Sequence, residues 1–320
     1  MRIVFMGTPD FAAVVLKALC ESGQEILAVY TQPDRPKGRK GELCASPVKE
    51  YALSQGLEVY QPERIRRKAW VARLEEQKPE LIVVAAFGQI LTQQILDIAP
   101  CINVHASLLP QYRGSSPIQR AIADGESVTG VTIMRMDAGI DTGNSILQVS
   151  VPITDKDTGE SMHDKLAAAG AEALLQVVRR FETGENPVGE PQEEALATHA
   201  PMLTREDGHI DWKRSAWQID CAVRAYTPWP SAYTELEGKV LKVQEARVYQ
   251  KDPLPAVEPG TVLTREEAQK VGASSDRILV QTGEGILEIC RLQLPGKKSL
   301  PADVFLRGCP LWGRRLGGDE

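Results

Sequence analysis

The chain has 320 residues, 42% hydrophobic and 25% charged, with a formal net charge of −6. This composition can bury a sizeable core and predicts two domains rather than one. The negative balance excludes a surface that is basic overall, so any nucleic-acid contact must come from a local patch. Six scattered cysteines with no CxxC pair argue against zinc and a disulfide framework, and point to a reducing, cytoplasmic setting. The start, MRIVFMGTPDF, lacks the layout of a signal peptide. The longest apolar run, near Leu81 to Leu91, is too short to span a bilayer.

In chain order, Arg2 to Met6 reads as a buried strand and Phe11 to Cys20 as a helix with Asp10 as its N-cap. GTPDFA between them could form a phosphate loop. It lacks the GxGxxG spacing, and a strand end with a capped helix start is the simpler reading. Glu25 to Thr31 is a second strand. DRPKGRKGELCASPVK then forms a long connection rich in Arg and Lys, either functional or an ordinary solvated loop. Arg64 to Gln77 is a charged helix, and LIVVAA at 81–86 a strand covered on both faces. Ile102 to His105, Gly130 to Met136 and Ile146 to Pro152 complete the strands. The alternation predicts a Rossmann-like, doubly wound, mostly parallel sheet over residues 1–189.

A Pro-, Gly- and Glu-rich stretch follows, so 190–206 is predicted to be a linker. Beyond it, Lys239 to Tyr249, Gly260 to Leu263, Arg277 to Thr282 and Gly285 to Leu294 read as strands. Gly-Glu-Gly at 283–285 marks a tight hairpin. Residues 207–320 are therefore expected to form a small antiparallel, OB-like β-barrel. They hold 16 Lys and Arg against 16 Asp and Glu, so any basic face there must be assembled by folding. Trp212, Tyr226, Trp229 and Tyr233 could stack on bases, but packing is the commoner use of aromatics in small barrels.

INVHASLLPQYRG, at 102–114, carries the chemistry. Side chains two apart on a strand share a face, so Asn103 and His105 point together while Val104 points away. MDAGIDTGN, at 136–144, presents Asp141 on a turn eased by Gly139 and Gly143. An amide that donates to an oxyanion, an imidazole that donates or shuttles a proton, and a carboxylate that orients the imidazole suffice for acyl transfer. A structural histidine and a turn-forming aspartate are the competing reading.

These blocks, with FMGTPDFA (5–12), TQPDRPKGR (31–39), IDW (210–212) and YTPWPSAY (226–233), occur in family order along nearly the whole chain. The sequence resembles the folate-dependent formyltransferases. The resemblance implies a formyl transfer that takes 10-formyltetrahydrofolate as donor cosubstrate and initiator methionyl-tRNA as acceptor, without a metal and as a monomer. It implies Asn103, His105 and Asp141 as catalytic residues. Ser107, Leu108, Leu109 and Pro110 would border the folate, with Phe87, Gly88, Ile90 and Leu91 in the pterin pocket. Arg35, Lys37, Arg39 and Lys40 would reach the tRNA, with Lys297 and Lys298 assisting from the second domain. Met202 stands where the family usually has Lys, and Asn144 where Asp is frequent. An aminosugar-directed relative, an RNA-binding module without catalysis and a nicotinamide oxidoreductase are the alternatives. The missing glycine fingerprint disfavours the last.

Overall fold

The computed structural model describes residues 1–37, 41–250, 252–254 and 256–317, with only the backbone of Lys37. It separates into two compact units. The first comprises 1–117, 128–152 and 163–201, and the second 118–127, 153–162 and 202–320.

The chain begins with β1 (Arg2–Gly7), α1 (Asp10–Glu21) and β2 (Glu25–Tyr30). A short ribbon follows, β3 (Arg35–Lys37) and β4 (Glu42–Cys44), then α2 (Pro47–Ser54) and β5 (Val59–Tyr60). Next come α3 (Lys68–Gln77), β6 (Leu81–Ala85), α4 (Gln93–Leu96) and β7 (Cys101–His105). The run continues through β8 (Arg113–Gly114), α5 (Pro117–Ala123), β9 (Val128–Arg135), β10 (Ser145–Pro152), α6 (Gly159–Glu182) and β11 (His199–Ala200).

Seven strands form one sheet in the order β10-β9-β7-β6-β1-β2-β5. Pairing is parallel from β7 to β5, and β9 and β10 add an antiparallel edge. β6 (LIVVA) and β7 (CINVH) are buried along their full length, as strands sandwiched between helices must be. Val4, Met6, Ile82 and Val84 form one face with Val71 and Leu74 of α3. Val104 points to the other face, where Gly170 of α6 lets the helix come close; a Cβ there would lie 2.8 Å from Val104. At the end of β1, a Cβ on Gly7 would lie 2.6 Å from that of Ala12 and 2.8 Å from the Ala85 carbonyl. Close packing is thus what requires this glycine.

Four expectations shift. Asp10 is not the cap of α1: Pro9 is, and Asp10 opens the first turn, where its carboxylate favours the helix dipole. The charged helix begins at Lys68 rather than Arg64, because Ile65 is buried in the core and its N–H donates to Gln89. The 24-residue α6 lies outside the expected elements, although its Ala and Leu spacing is helical. Glu190 to Ala200 of the expected linker is bound to the first unit: Glu190 exchanges two hydrogen bonds with Ser145, and β11 pairs with β8. Main-chain pairing holds this stretch, so it has no hydrophobic period to read.

The second unit contains α7 (Ala216–Ala225), β12 (Tyr233–Leu236), β13 (Lys239–Gln250) and α8 (Arg265–Lys270). It ends with β14 (Ile278–Gln281), β15 (Ile286–Gln293), β16 (Leu300–Pro301) and α9 (Ala302–Gly308). Its strands form an antiparallel sheet, β12-β13-β15-β14, with β16 on β15. Gly283 sits in the expected hairpin between β14 and β15, and 260–263 contributes only isolated bridges. Ser215 starts α7 with a capping box closed by Gln218. Trp212 and Tyr226 are buried, and Trp212 Nε1 donates to Thr234, whereas Trp229 is exposed. No helix among the described residues is long and apolar enough to cross a membrane.

Leu287 is fully buried in the core of the second unit. Leu287→Ala is expected to destabilise that unit by about 2–5 kcal/mol, measured by urea denaturation.

Candidate active site

The site begins on β7. Register pairs Ile82 with Cys101 and Val84 with Asn103, so Cys101, Asn103 and His105 continue the core face that Ile82 and Val84 belong to. That face changes from apolar to polar along one strand. Cys101 remains core, and burial pushes its thiol up to about 12, so it stays protonated near neutrality. Asn103 and His105 are buried too, and both must find partners.

Asp141 is that partner. The Met136–Asn144 loop leaves β9 beside the start of β7, where the Met136 N–H donates to the Cys101 carbonyl. It then folds back over the face that carries Asn103 and His105. Asn103 Nδ2 lies 3.5 Å from Asp141 Oδ1, and His105 Nδ1 lies 3.6 Å from Oδ2. The Gly114 N–H donates to Oδ2 at 2.9 Å. Asp137 organises the turn by accepting from the Gly139 N–H and the Thr142 hydroxyl. Asp141 itself takes a left-handed backbone, φ 54°, which aspartate tolerates better than most residues.

His105 Nε2 is 3.0 Å from the Tyr112 carbonyl. A carbonyl only accepts, so Nε2 carries the proton. Nδ1 then faces a carboxylate, to which it can donate only when the ring holds a second proton. The geometry thus suits an imidazole that gains and gives a proton against Asp141.

Beside this trio is a cavity of about 120 Å³, lined by Gln89, Ile90, Leu91, Met134, Met136, Asp137, Gly139, Ile140 and Asp141. The structure divides the residues expected around the folate. Ile90 and Leu91 line this cavity. Phe87 is core behind it, and the carbonyls of Phe87 and Gly88 accept from the Gln32 amide. Ser107 is buried with its hydroxyl on the Gln111 carbonyl, and Leu108 packs over Gly130. Leu109 and Pro110 line a separate groove of about 410 Å³ with Ser145 to Gln148 and Glu190 to Glu193.

Of the expected tRNA contacts, Arg35 is exposed on the β3–β4 ribbon and Lys37 lies opposite Glu42. Arg39 and Lys40 lie outside the described residues. Lys297 and Lys298 are exposed between β15 and β16. Lys49 is committed elsewhere, 2.6 Å from Asp34, which also receives the Gln61 amide. These two donors hold the Asp34 carboxyl below its usual range. Met202 is exposed, and Asn144 donates to the Gly189 carbonyl, so neither enters the trio. No cluster of His, Cys, Asp and Glu among the described residues could hold a metal.

Sequence reasoning missed Met134 and Met136 in the cavity wall, and also Gln192. The Gln192 amide donates to the carbonyls of Asp141 (2.8 Å) and Gly143 (2.7 Å). Only the position of the two methionines, at the end of a predicted strand before the Gly-rich turn, could have signalled them.

Residues 1–178 match the Formyl transferase profile, and 202–310 match Formyl transferase, C-terminal domain. The chain belongs to the formyl transferase family. A methionyl-tRNA formyltransferase of Geobacter metallireducens is 46% identical over 320 residues, 99% of each chain. One of Pseudomonas fluorescens is 47% identical over 95% of this chain and 92% of its own. Among solved structures, this formyl transferase is similar to WlaRD, a sugar 3N-formyl transferase determined with dTDP and 5-N-formyl-THF. That match has a TM-score of 0.64 at 18% identity, over 93% of this chain and 99% of the other. HypX from Aquifex aeolicus in complex with tetrahydrofolic acid matches at TM-score 0.59 and 19% identity over 96% of this chain, which spans about half (47%) of HypX. At these identities the structural likenesses show the fold alone.

A Cβ on Gly143 would lie 1.8 Å from the Arg135 carbonyl. Gly143→Ala must therefore displace the loop, at a cost of roughly 1–3 kcal/mol. A crystal structure of the variant is expected to show the His105–Asp141 separation lengthened from 3.6 Å. Lys49→Met is expected to raise the Asp34 pKa toward the ordinary carboxylate value, as read by NMR titration. The parent pKa is depressed, so the stability from this contact is present above the unfolded pKa and fades as pH falls through the folded one. The variant should lose that acid dependence.

Proposed function

We propose that this formyl transferase moves the formyl group of 10-formyltetrahydrofolate to the α-amine of methionine on initiator tRNA, in support of translation initiation. The observation that carries the reading is the meeting of Asn103, His105 and Asp141 beside a cavity with apolar walls. Full-length relatives at 44–47% identity carry the matching name.

The cavity suits a folate. Ile90, Leu91, Met134 and Met136 offer apolar surface to a flat ring, and Gln89 and Asp137 offer polar groups at its edge. Phe87 and Gly88 shape the loop that carries Ile90 and Leu91. Ser107, Leu108, Leu109 and Pro110 hold the chain as it leaves β7 but lie outside this cavity wall, Leu109 and Pro110 on the separate groove. When bound, the folate supplies the formyl carbon that the amine attacks.

The acceptor needs little activation. An α-amine has a reference pKa of about 7.7–8.0, and the ester lowers it, so much of it is neutral near pH 7. The main task is to stabilise negative charge on the formyl oxygen. Asn103 Nδ2 has a second N–H to donate to that oxygen, and protonated His105 can turn its Nδ1–H, only loosely held by Asp141 at 3.6 Å, toward the same oxygen while Nε2–H stays on the Tyr112 carbonyl. Asp141 keeps the imidazole oriented and relays the amine proton through water toward the departing folate nitrogen. Arg35, Lys37, Arg39 and Lys40, with Lys297 and Lys298, contact tRNA phosphates.

The second reading keeps the chemistry and replaces the acceptor with an aminosugar nucleotide, on the strength of the likeness to sugar N-formyl transferases. A transfer assay offering both acceptors across a salt series separates the two. Transfer to methionyl-tRNA that falls as salt rises supports the first reading. Preferential, salt-insensitive transfer to the aminosugar overturns it. His105→Ala and Asp141→Asn are each expected to lower kcat by about 10²–10³; parent-like turnover in either would remove the assigned roles.

A further inference from the structure

The Pro- and Glu-rich stretch after Gly184 contains no hydrophobic pattern, yet one of its side chains reaches the loop that carries Asp141. Gln192 makes three hydrogen bonds. Its Nε2 donates to the carbonyls of Asp141 and Gly143, and its Oε1 accepts from Arg113 Nε at 3.0 Å. The orientation of the amide is fixed by chemistry. Arginine can only donate and a carbonyl can only accept, so Oε1 must face Arg113 and the NH₂ must face the loop.

Arg113 gives this contact its significance. Its guanidinium is buried, with its charge balanced by Glu194 at 2.9 Å. Its neighbours in sequence hold both members of the His–Asp pair: the Tyr112 carbonyl accepts from His105 Nε2, and the Gly114 N–H donates to Asp141 Oδ2. Gln192 therefore ties the Asp141 loop to the one short segment that positions His105. The loop needs such a tie, because Asp141 has a left-handed backbone and Gly143 is packed against the Arg135 carbonyl. A conformation of that kind persists when its surroundings over-determine it.

We infer that Gln192 is a positioning residue: through hydrogen bonds to the Asp141 and Gly143 carbonyls it sets the Asp141 carboxylate against His105 for formyl transfer. This rests on the roles proposed for His105 and Asp141. Gln192→Glu discriminates well, since it keeps the shape and the acceptor for Arg113 but removes the two donors.

The expected result for Q192E is a fall in kcat of roughly ten- to a hundredfold, the scale of a misplacement of about 1 Å. The KM for 10-formyltetrahydrofolate stays within about twofold, since the apolar cavity wall is untouched. In an Asp141→Asn background, Q192E adds less than about a further twofold, because residues acting through one another are not additive. Hydrogen exchange at residues 137–144 quickens in Q192E. Parent-like kcat and exchange, or an equal loss of kcat in both backgrounds, overturns the inference. Gln192→Met, uncharged and of similar length, gives the same readings if Q192E does not fold. If the parent transfers no formyl group to methionyl-tRNA, the proposed function fails, and the exchange measurement still decides whether Gln192 fixes the loop.

Discussion

The site depends on a single carboxylate that meets two buried polar side chains of one strand. Asn103 and His105 continue a face that the neighbouring strands fill with Val4, Met6, Ile82 and Val84. Burying an amide and an imidazole costs free energy unless each finds a partner. The Tyr112 carbonyl takes the His105 Nε2–H at 3.0 Å, and Asp141 approaches Asn103 at 3.5 Å and His105 at 3.6 Å. Both separations exceed those of an ideal hydrogen bond, so neither donor is tied tightly to the carboxylate. Donors held in place but not fully engaged can turn to a substrate oxygen at little reorganisation cost, which is the requirement for stabilising charge as it develops.

The arrangement also explains the glycines and the unusual backbone around it. The loop must leave β9, cross beside the start of β7 and return to reach Asn103 and His105. Gly143 lies where any side chain would strike the Arg135 carbonyl, and Asp141 itself adopts a left-handed conformation. Support comes from the opposite direction, from a segment far along the chain whose backbone pairs with the Tyr112 to Ser116 stretch. The three polar groups thus come from β7 and one loop, while the framework that fixes them extends to Ala200.

Much of this was legible in the sequence. Alternation in INVHAS placed Asn103 and His105 on one face without any knowledge of the fold, because the period of a strand is two. The turn at Asp141 was legible from its glycines, and LIVVAA from its unbroken burial. The return of the loop onto β7 was not, since it follows from β9 running antiparallel to β7, and sequence pattern carries no strand order. Gln192 was invisible for a different reason. It acts through main-chain carbonyls, which every residue has, and nothing in the Asp141 loop specifies who will bond to them. Asp10 misled because a capping residue and a first-turn acid look alike in sequence, and the choice between them rests on the backbone angles of Pro9.

The number of charges in a loop overstates the field it presents, because some of them are spent on internal partners. The stretch from Asp34 to Lys49 reads as strongly basic, but its charges are not equivalent. Lys49 is a half-buried partner of Asp34, and it helps fix the base of the ribbon rather than offering a free cation. Lys37 lies across from Glu42 in the β3–β4 backbone register. The stretch therefore presents fewer free cations than the count implies, with Arg35 exposed among the described residues. A small number of guanidinium and ammonium contacts to any polyanion gives modest affinity with a measurable salt dependence.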